Sequence, residues 1–308
     1  MCAEPSFGPS FGPDIGMDDR MSPVHAATAR QRLGAHGFCV LPAPSLAALG
    51  GLDATACADA AGLWNDLPAD LYLKDGGHYR SRRHGSFIQT LQPEPGQARL
   101  TQAAQRAHYQ PATYNALHGG LVRWYEPLAP ELVAMPGWES LLTGLGRLFA
   151  SLRTAPQWFI EAHQFRIDTE GGMGRPTPEG AHRDGVDFVA VVLVGRHAIR
   201  GGETRVFELD GPRGVRFTLD EPWSALLMDD TRVIHESTPI VAEAPARRGW
   251  RDTLVLTYRA GGFMEPPRRV ASLGRIRRAR CRGADARTRA FAETGAPSPL
   301  RRGLCFGG

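Results

Sequence analysis

The stretch WFIEAHQFRID, residues 158–168, opens a series of short runs that alternate in polarity or are rich in β-branched residues. Glycine, proline and aspartate separate most of these runs. Many short strands at such spacing favour a sandwich or barrel. No GxGxxG motif opens a helix after a strand, so nothing supports a dinucleotide-binding fold. The predicted strands are Trp158–Asp168, His182–Val194, Glu203–Asp210, Gly214–Leu219, Ser224–Met228, Arg232–Ile234 and Thr253–Tyr258.

The chain before this series has a more helical character. Apolar spacing predicts helices at Ala26–Leu33, near 46–64 and at 136–152. Strands are predicted at 37–42 and Tyr79–Leu91, with an irregular region after the second. The fold class predicted for the whole is therefore mainly β with flanking helices.

The net charge of +4 is unevenly distributed along the 308 residues. Residues 268–308 contain eleven arginines against Asp285 and Glu293, which leaves +9 there and −5 in residues 1–267. A basic tail can contact nucleic acid or an acidic surface. We do not expect this here, because the chain has 35 arginines and one lysine, a general bias toward arginine. The tail also has few aromatic residues on which bases could stack.

Composition also divides the chain. Residues 1–25 are rich in glycine and proline and are predicted to be disordered. A single catalytic domain is predicted at 26–267, with a strand-rich core at about 157–260, before an Arg-rich tail at 268–308. Five scattered cysteines without a CxxC pair argue against disulfides or structural zinc and for a reducing cytoplasm. No secretory signal is visible, and the longest apolar run, Phe188–Val194, is too short to cross a bilayer, so no membrane association is expected.

His182, Asp184 and His235 are candidate metal ligands. Residues two apart in a strand share a face at a spacing of about 6–7 Å, so His182 and Asp184 could reach one ion together. Two imidazoles and one carboxylate leave three positions of an octahedral metal open, which suits Fe(II) with a chelating cosubstrate and O2. Alone, His-x-Asp is a weak signal, because chance pairs are common. The pair Asp229-Asp230 before His235 is assigned to a turn or a supporting role.

Arg251 and Thr253 strengthen this interpretation. They open the last strong predicted strand, 16 residues after His235, and lie on one face of it. Arginine binds carboxylates through two parallel hydrogen bonds and stays charged, so Arg251 with the Thr253 hydroxyl can hold a carboxylate ligand. The alternative is an ordinary arginine at the edge of a sheet.

The order of these motifs resembles the Fe(II)/2-oxoglutarate dioxygenases with a double-stranded β-helix (jelly-roll, cupin-like) core. More narrowly, it resembles the bacterial free L-amino-acid hydroxylase subgroup, the L-isoleucine 4-hydroxylase-like enzymes. The resemblance is strong over residues 157–260 and weak before them. It is carried by five blocks, His163–Ile167, Pro176–Gly185, Gly201–Thr204, Leu227–His235 and Arg251–Val255.

This resemblance implies a set of roles. His182, Asp184 and His235 would bind Fe(II), and Arg251, helped by Thr253, would hold the far carboxylate of 2-oxoglutarate. Reaction with O2 would hydroxylate an unactivated C–H bond of an L-amino acid and release succinate and CO2. Related halogenases have a small residue in place of the carboxylate ligand. Because Asp184 is present, we expect hydroxylation rather than halogenation.

The substrate-binding residues are less well specified by the sequence. In the strand at 158–168, Gln164 and Arg166 share one face; if it faces the lumen, Arg166 could pair with a substrate carboxylate and Gln164 with substrate or cosubstrate oxygens. An exposed polar face is an equal alternative. Arg82 is a second candidate for carboxylate recognition, with a solvated strand as its alternative. Asp187 is a weaker candidate for a substrate amine.

Two other functions remain open at this point. A cupin-like metal isomerase, or an oxygenase that does not use 2-oxoglutarate, would keep the three metal ligands without needing Arg251 and Thr253. A non-catalytic jelly-roll binding protein would bind no Fe(II) and would use the tail on nucleic acid, with a steep salt dependence.

Overall fold

The computed structural model describes residues 10–11, 26–91, 98–244 and 247–267. The Arg-rich tail therefore lies outside the described residues, as does most of the N-terminal segment that was predicted to be disordered. In that segment the described dipeptide Ser10–Phe11 forms a strand that pairs in parallel with residues 213–214.

The described part of the chain contains five α-helices and sixteen β-strands. In chain order the helices α1 to α5 are Ala26–His36, Ala43–Gly50, Ala54–Ala61, Pro130–Val133 and Trp138–Ala150, and a 3-10 turn at Gly62–Trp64 follows α3. The strands β1 to β16 are Ser10–Phe11, Phe38–Leu41, Arg80–Leu91, Ala98–Gln102, His108–Tyr109, Val122–Arg123, Gln157–Asp168, Met173–Gly174, Phe188–His197, Ile199–Gly201, Glu203–Glu208, Arg213–Thr218, Ala225–Asp229, Val233–Ser237, Ile240–Ala242 and Trp250–Arg259.

These strands form a large sheet and three smaller ones. The large sheet has the order β2-β13-β9-β16-β7-β3-β4, and a four-stranded sheet has the order β1-β12-β11-β14. A three-stranded sheet, β10-β15-β8, and the pair β5-β6 complete the set. The strand pairs are antiparallel apart from β1 with β12. The fold is therefore mainly β with flanking helices, as predicted.

The helices cover one face of the large sheet. Side chains at even positions of β7, such as Trp158 and Ile160, are fully buried in one core cluster with Leu141 and Leu145 of α5. Each such side chain contributes about 2–3 kcal/mol through burial of apolar surface. Polar atoms at this contact are paired, since the indole N–H of Trp158 donates to the carbonyl of Gly146 at 2.8 Å.

The opposite face of the large sheet packs against the four-stranded sheet. A second core cluster joins Val189 and Leu193 of β9 to Val206 of β11 and Val233 of β14. Because successive side chains of a strand point to opposite faces, β9 supplies residues to both clusters. The large sheet therefore lies between a helical layer and a second sheet, and functional side chains can occupy the inter-sheet side.

Most predicted elements are present with shifted boundaries, but two differ. The helix predicted near 46–64 is divided into α2, α3 and the 3-10 turn, with Gly51 in the left-handed conformation at φ 59° where α2 ends. The strand predicted at His182–Val194 begins only at Phe188. The residues before it form a loop, because they contact β14 and a buried carboxylate instead of extending the sheet. Among the described residues, no helix is both long enough and apolar enough to cross a membrane.

Candidate metal centre and its cavity

A cavity of about 130 Å³ lies on the inter-sheet side of the large sheet. Odd-numbered residues of β7 and of its ladder partner β16 point into this cavity. The wall is lined by Glu161, His163, Phe165 and Ile167 from β7 and by Arg251, Thr253, Val255 and Thr257 from β16. His182, Asp184 and His235 line the same cavity. The structure therefore brings together the predicted metal ligands with Arg251 and Thr253.

The three candidate ligands converge on one point. One ligand atom from each of His182, Asp184 and His235 lies within 4.8 Å of the other two. His182 and His235 form an isolated β-bridge with two backbone hydrogen bonds of 3.0 Å, and their ring centroids are 4.6 Å apart. Proximity therefore comes from this bridge and not from the strand alternation that was expected between His182 and Asp184.

Asp230 positions the backbone that carries Asp184. Its buried carboxylate accepts hydrogen bonds from the amides of Asp184, Gly185 and Val186, at 2.9, 2.7 and 3.0 Å. Asp229 instead closes a turn, accepting from the amide and the hydroxyl of Thr231. The prediction of supporting and turn roles for these two acidic residues is confirmed.

The protonation of the two histidines suits a metal site. His182 Nδ1 lies 3.0 Å from the carbonyl of Gly180 and donates to it, so Nε2 is the nitrogen that can coordinate a metal. Burial opposes the charged form of His182, but Asp184 and Glu179 outweigh it and raise the pKa, so a metal would displace a proton from Nε2. Burial chiefly lowers the pKa of His235 to about 3, so its ring is neutral at physiological pH. A neutral ring is the form that binds a metal ion.

Arg251 forms a cationic end of the cavity. Its side chain is 4% exposed, and its Nε has no hydrogen-bond partner among the described residues. Burial, together with Arg196, lowers the pKa of Arg251 to about 10, so the group remains charged at neutral pH. A buried, partly unpaired guanidinium requires an anionic partner, and Thr253 lies two residues along the same strand face to assist it.

Gln164 and Arg166 lie on the face of β7 that points away from the cavity, which corrects the prediction that they line the lumen. Gln164 Oε1 accepts the amide of Ala129 at 3.4 Å, and Arg166 forms an ion pair with Asp252 at 2.6 Å. The side-chain period of two means that if the odd-numbered residues line the cavity, the even-numbered ones cannot.

Arg82 and Asp187 are placed differently from each other. Arg82 lines the cavity and is 3% exposed, but it already contacts Tyr125 Oη at 3.1 Å and His163 Nδ1 at 2.7 Å. Asp187 is not among the cavity residues. It pairs with Arg153 and accepts the amide of Ala260 at 2.8 Å, so it ties segments together and is not placed to meet a substrate amine.

Several cavity residues were missed by sequence reasoning, namely Glu161, His108, Gln110, Asn115, His118, Arg123 and Glu179. Gln110 donates to Asp184 Oδ1 at 3.4 Å, and Asn115 donates to Glu179 at 3.0 Å. The other oxygen of Glu179 makes no hydrogen bond among the described residues and lies 3.7 Å from His118 Nδ1. Most of these come from the region that the sequence left irregular. For Glu161 a signal existed, since it shares the strand face of His163.

Comparisons with known proteins agree with this geometry. A family model described as 2OG-Fe dioxygenase matches residues 61–257. The crystal structure of a bsmA homolog from Methylobium petroleophilum PM1 is 59% identical over 80% of this chain and 98% of its own, with a TM-score of 0.76. A search of curated proteins returned no match.

Two more distant solved structures share the fold. IDO from Bacillus thuringiensis is 16% identical, covering 82% of this chain and 100% of its own, with a TM-score of 0.61. TqaL, described as an Fe(II)/(alpha)ketoglutarate-dependent dioxygenase, is 16% identical, covering 76% of this chain and 86% of its own, with a TM-score of 0.57. At this identity the likeness is one of fold alone.

Proposed function

The chain belongs to the 2OG-Fe dioxygenase family, and from this premise we propose that it hydroxylates an unactivated C–H bond of a free L-amino acid or a close derivative. As a member of the family it is an oxidoreductase that uses Fe(II), 2-oxoglutarate and O2. The family does not favour a cupin-like enzyme without 2-oxoglutarate or a non-catalytic binding protein. We further propose that the two facing sheets form the double-stranded β-helix, or jelly roll, of such enzymes, and that residues 26–267 are the catalytic domain.

One observation carries the proposed assignment of site residues. A two-histidine, one-carboxylate set lines one cavity with a buried arginine whose Nε has no hydrogen-bond partner in the part of the chain that the structure describes. The donor set fits Fe(II), since His182 has Nε2 free to coordinate and His235 is held neutral. The cavity also fits 2-oxoglutarate, because Arg251 and Thr253 offer a cation and a hydroxyl on one strand face.

The chain's own residues divide the work of the reaction. Iron with 2-oxoglutarate and O2 supplies the oxidising power when bound. His182, Asp184 and His235 would hold the iron, while Asp230 fixes the loop that carries Asp184. Arg251 and Thr253 would orient the cosubstrate. Apolar side chains of the wall, Phe165, Val186, Val191 and Val255, exclude water from the site.

The substrate class has weaker but definite support. The five sequence blocks that resemble the free amino-acid hydroxylases include the whole metal and Arg251 constellation. The retained carboxylate of Asp184 favours hydroxylation over halogenation. A cavity of about 130 Å³ fits a small molecule better than a peptide or a nucleic acid strand. Cys39 and Cys57 are buried free thiols, which supports the proposal that the protein works in the cytoplasm.

The test is a mass-spectrometric screen with Fe(II), ascorbate and 2-oxoglutarate. It would use the twenty L-amino acids together with citrulline, ornithine and pipecolate. We expect one of them to gain a single oxygen, with one succinate formed per product. An oxidised product that forms equally well without 2-oxoglutarate would refute the proposed reaction, and a panel without any product would refute the amino-acid substrate.

A further inference from the structure

The part of the cavity around β5 and β6 contains buried charges that the roles assigned above do not use. Arg123 on β6 is 2% exposed, and it lies directly opposite His108 of β5 in the ladder. Glu161 on β7 is 6% exposed and lies 3.3 Å from His108. All three side chains line the same cavity as the metal ligands.

Arg123 is a buried cation without a sufficient partner. Its Nε and Nη2 atoms make no hydrogen bond within the described residues. Arg80 and Arg82 differ, because both lie within 4 Å of the buried carboxylate of Asp70, at 2.8 and 3.7 Å. An unpaired buried charge costs several kcal/mol, so a buried guanidinium with a free fork indicates an anion that arrives from outside the chain.

Glu161 provides the opposite charge. Its two oxygens accept from His84 Nε2 at 3.0 Å and from His108 Nδ1 at 3.3 Å. Burial opposes its ionisation, but the contacts with His108 and His84 outweigh burial and hold the pKa of Glu161 well below its usual range. A carboxylate has about four acceptor sites, so Glu161 can still accept hydrogen bonds from a cation in the cavity.

His108 lies close to both charges. Burial chiefly lowers the pKa of His108 to about 4, with Arg123 lowering it further and Glu161 opposing. The ring is therefore neutral, with its proton on Nδ1 toward Glu161 and an unprotonated Nε2. Arg123 is the ladder partner of His108 and Glu161 its hydrogen-bond partner, so this part of the cavity presents a cation and an anion to one small molecule that carries both an anionic and a cationic group.

A metal ion would be another occupant, because ligand atoms of His84, His108, Glu161 and His163 lie within 4.8 Å of one another. The hydrogen bonds oppose it. His163 Nδ1 lies 2.7 Å from an Arg82 nitrogen that can only donate, so this lone pair is already used. Arg82 and Arg123 would also repel a cation, since the charges of both help burial to lower the pKa of His163.

The position of these charges in the cavity separates them from the cosubstrate end. Glu161 pairs in the ladder with Thr257 of β16. Thr257 lies six residues from Arg251 on that strand, a distance of roughly 20 Å along it. The metal site reaches the β5 region through Gln110, which bonds Asp184 and lies two residues after His108. A molecule bound at Arg123 would therefore approach the metal from the side opposite Arg251.

We propose that Arg123 binds the carboxylate and Glu161 the ammonium group of a zwitterionic substrate. This inference rests on the proposed function and deepens it, because it names the two groups that select an α-amino acid over a simple acid or a simple amine. Neither residue binds iron or 2-oxoglutarate, so both are specificity residues.

The test measures binding without turnover. Calorimetric titrations would use protein loaded with Mn(II) and 2-oxoglutarate under anaerobic conditions. Each of the twenty L-amino acids is titrated first. For any amino acid that binds, the matching deaminated acid and decarboxylated amine are titrated next. For Arg123→Met we expect roughly 100-fold weaker binding of the amino acid, with partial recovery in Arg123→Lys. The affinity for 2-oxoglutarate should change less than about twofold, as in the control Arg147→Met on the exposed side of α5. Glu161→Gln should remove the preference for the amino acid over its deaminated analogue.

A second readout separates a binding role from a structural one. Removing an unpaired buried cation should raise the melting temperature of ligand-free Arg123→Met or leave it unchanged, and a fall would contradict the inference. Unchanged amino-acid affinity in this variant would also overturn it, while the proposed function would stand. Two Mn(II) per chain, reduced to one by Glu161→Gln, would overturn it in favour of a second metal site. If no amino acid binds the wild type although 2-oxoglutarate does, the proposed substrate class fails and this inference fails with it.

Discussion

At the scale of single residues, charge and hydrogen bonding explain why these side chains occupy the cavity. The candidate metal ligands are arranged by neighbours that fix their geometry. Gly180 sets the tautomer of His182 through a 3.0 Å hydrogen bond, and Asp230 binds three consecutive amides of the loop that carries Asp184. Such supporting contacts typically change metal affinity by about 10–100-fold when lost. The buried Arg251 remains charged and can therefore bind an anionic ligand.

Replacing Asp184 by alanine tests the metal site. The variant should lose Fe(II) binding by more than the roughly 100-fold expected for a supporting contact, and turnover with it. Its free energy of unfolding should change by no more than about 1 kcal/mol, because the Asp184 side chain is 24% exposed. Metal titration, turnover and urea unfolding measure the three quantities. Full activity in this variant would exclude Asp184 as a ligand, and His235→Ala should likewise lose Fe(II) binding and turnover.

Replacing Arg251 by methionine tests the cosubstrate end. Loss of a buried charge-assisted pair should raise the KM for 2-oxoglutarate by roughly 100-fold while the KM for the substrate changes little. Arg200→Met on strand β10 of the three-stranded sheet is a matched control, since Arg200 is exposed. Equal increases in both KM values would mean that Arg251 does not anchor the cosubstrate.

At the scale of elements, β3, β7 and β16 form the cavity wall because each presents alternate residues to it. The even-numbered residues of β7 pack on the helices, which fixes the odd-numbered ones toward the cavity. On β3 the same alternation places Arg80 and Arg82 on the cavity side. There Asp70, from the segment before β3, accepts a hydrogen bond from Arg80 Nε at 2.8 Å. Arg82 in turn contacts His163 of β7, so the Asp70 contact helps to order the wall.

The Asp70 contact predicts a pH dependence of stability. Burial alone would raise the pKa of Asp70, but Arg82 and Arg80 outweigh it and lower the pKa below its ordinary value of 3.8. The stabilisation is therefore complete above pH 3.8 and is lost as the pH falls through the lower folded pKa. Asp70→Asn should lower the free energy of unfolding by about 3 kcal/mol at pH 6.

This difference between wild type and variant should shrink below about pH 4, as measured by urea unfolding at several pH values. The exposed Asp59→Asn on α3 serves as the control and should show little effect at any pH. A difference that stays constant down to about pH 2 would show that the ionisation of Asp70 does not supply the stabilisation.

At the scale of the whole molecule, the candidate site is contained within residues 26–267. The contacts of the chain divide it into a unit ending at Pro267 and a second unit at Arg268–Gly308. Every metal, cosubstrate and substrate candidate named above belongs to the first unit. Residues 1–267 carry a net charge of −5 and the basic tail carries +9, so the two segments attract ligands of opposite charge.

A chain that ends at Pro267 tests the proposed catalytic domain. It should bind one Fe(II) and turn over the substrate at a rate within about twofold of the full chain, because every candidate site residue named above lies before Pro267. Turnover assays and metal titration of both forms provide the measurement. Loss of metal binding together with a lower melting temperature would show that the tail is part of the catalytic domain.

The sequence by itself determined the fold class, the candidate metal ligands and the family resemblance. Strand-like alternation and apolar helical spacing are local properties, so most elements could be predicted, although the helix predicted near 46–64 is divided and the strand predicted at His182–Val194 begins only at Phe188. His182, Asp184, His235, Arg251 and Thr253 could be singled out because their types and order along the chain carry chemical meaning.

Only the tertiary structure decided which strand face lines the cavity and which loops complete it. From the sequence, Gln164 and Arg166 could equally have faced the lumen or formed an exposed polar face. Helix packing against the even-numbered residues of β7 places both on the face that points away from the cavity. Arg123, His108 and Glu161 come from three strands, and the charges of Arg123 and Glu161 are buried only in the folded chain. Burial and pairing are properties of the folded chain, so no local pattern could have assigned these residues.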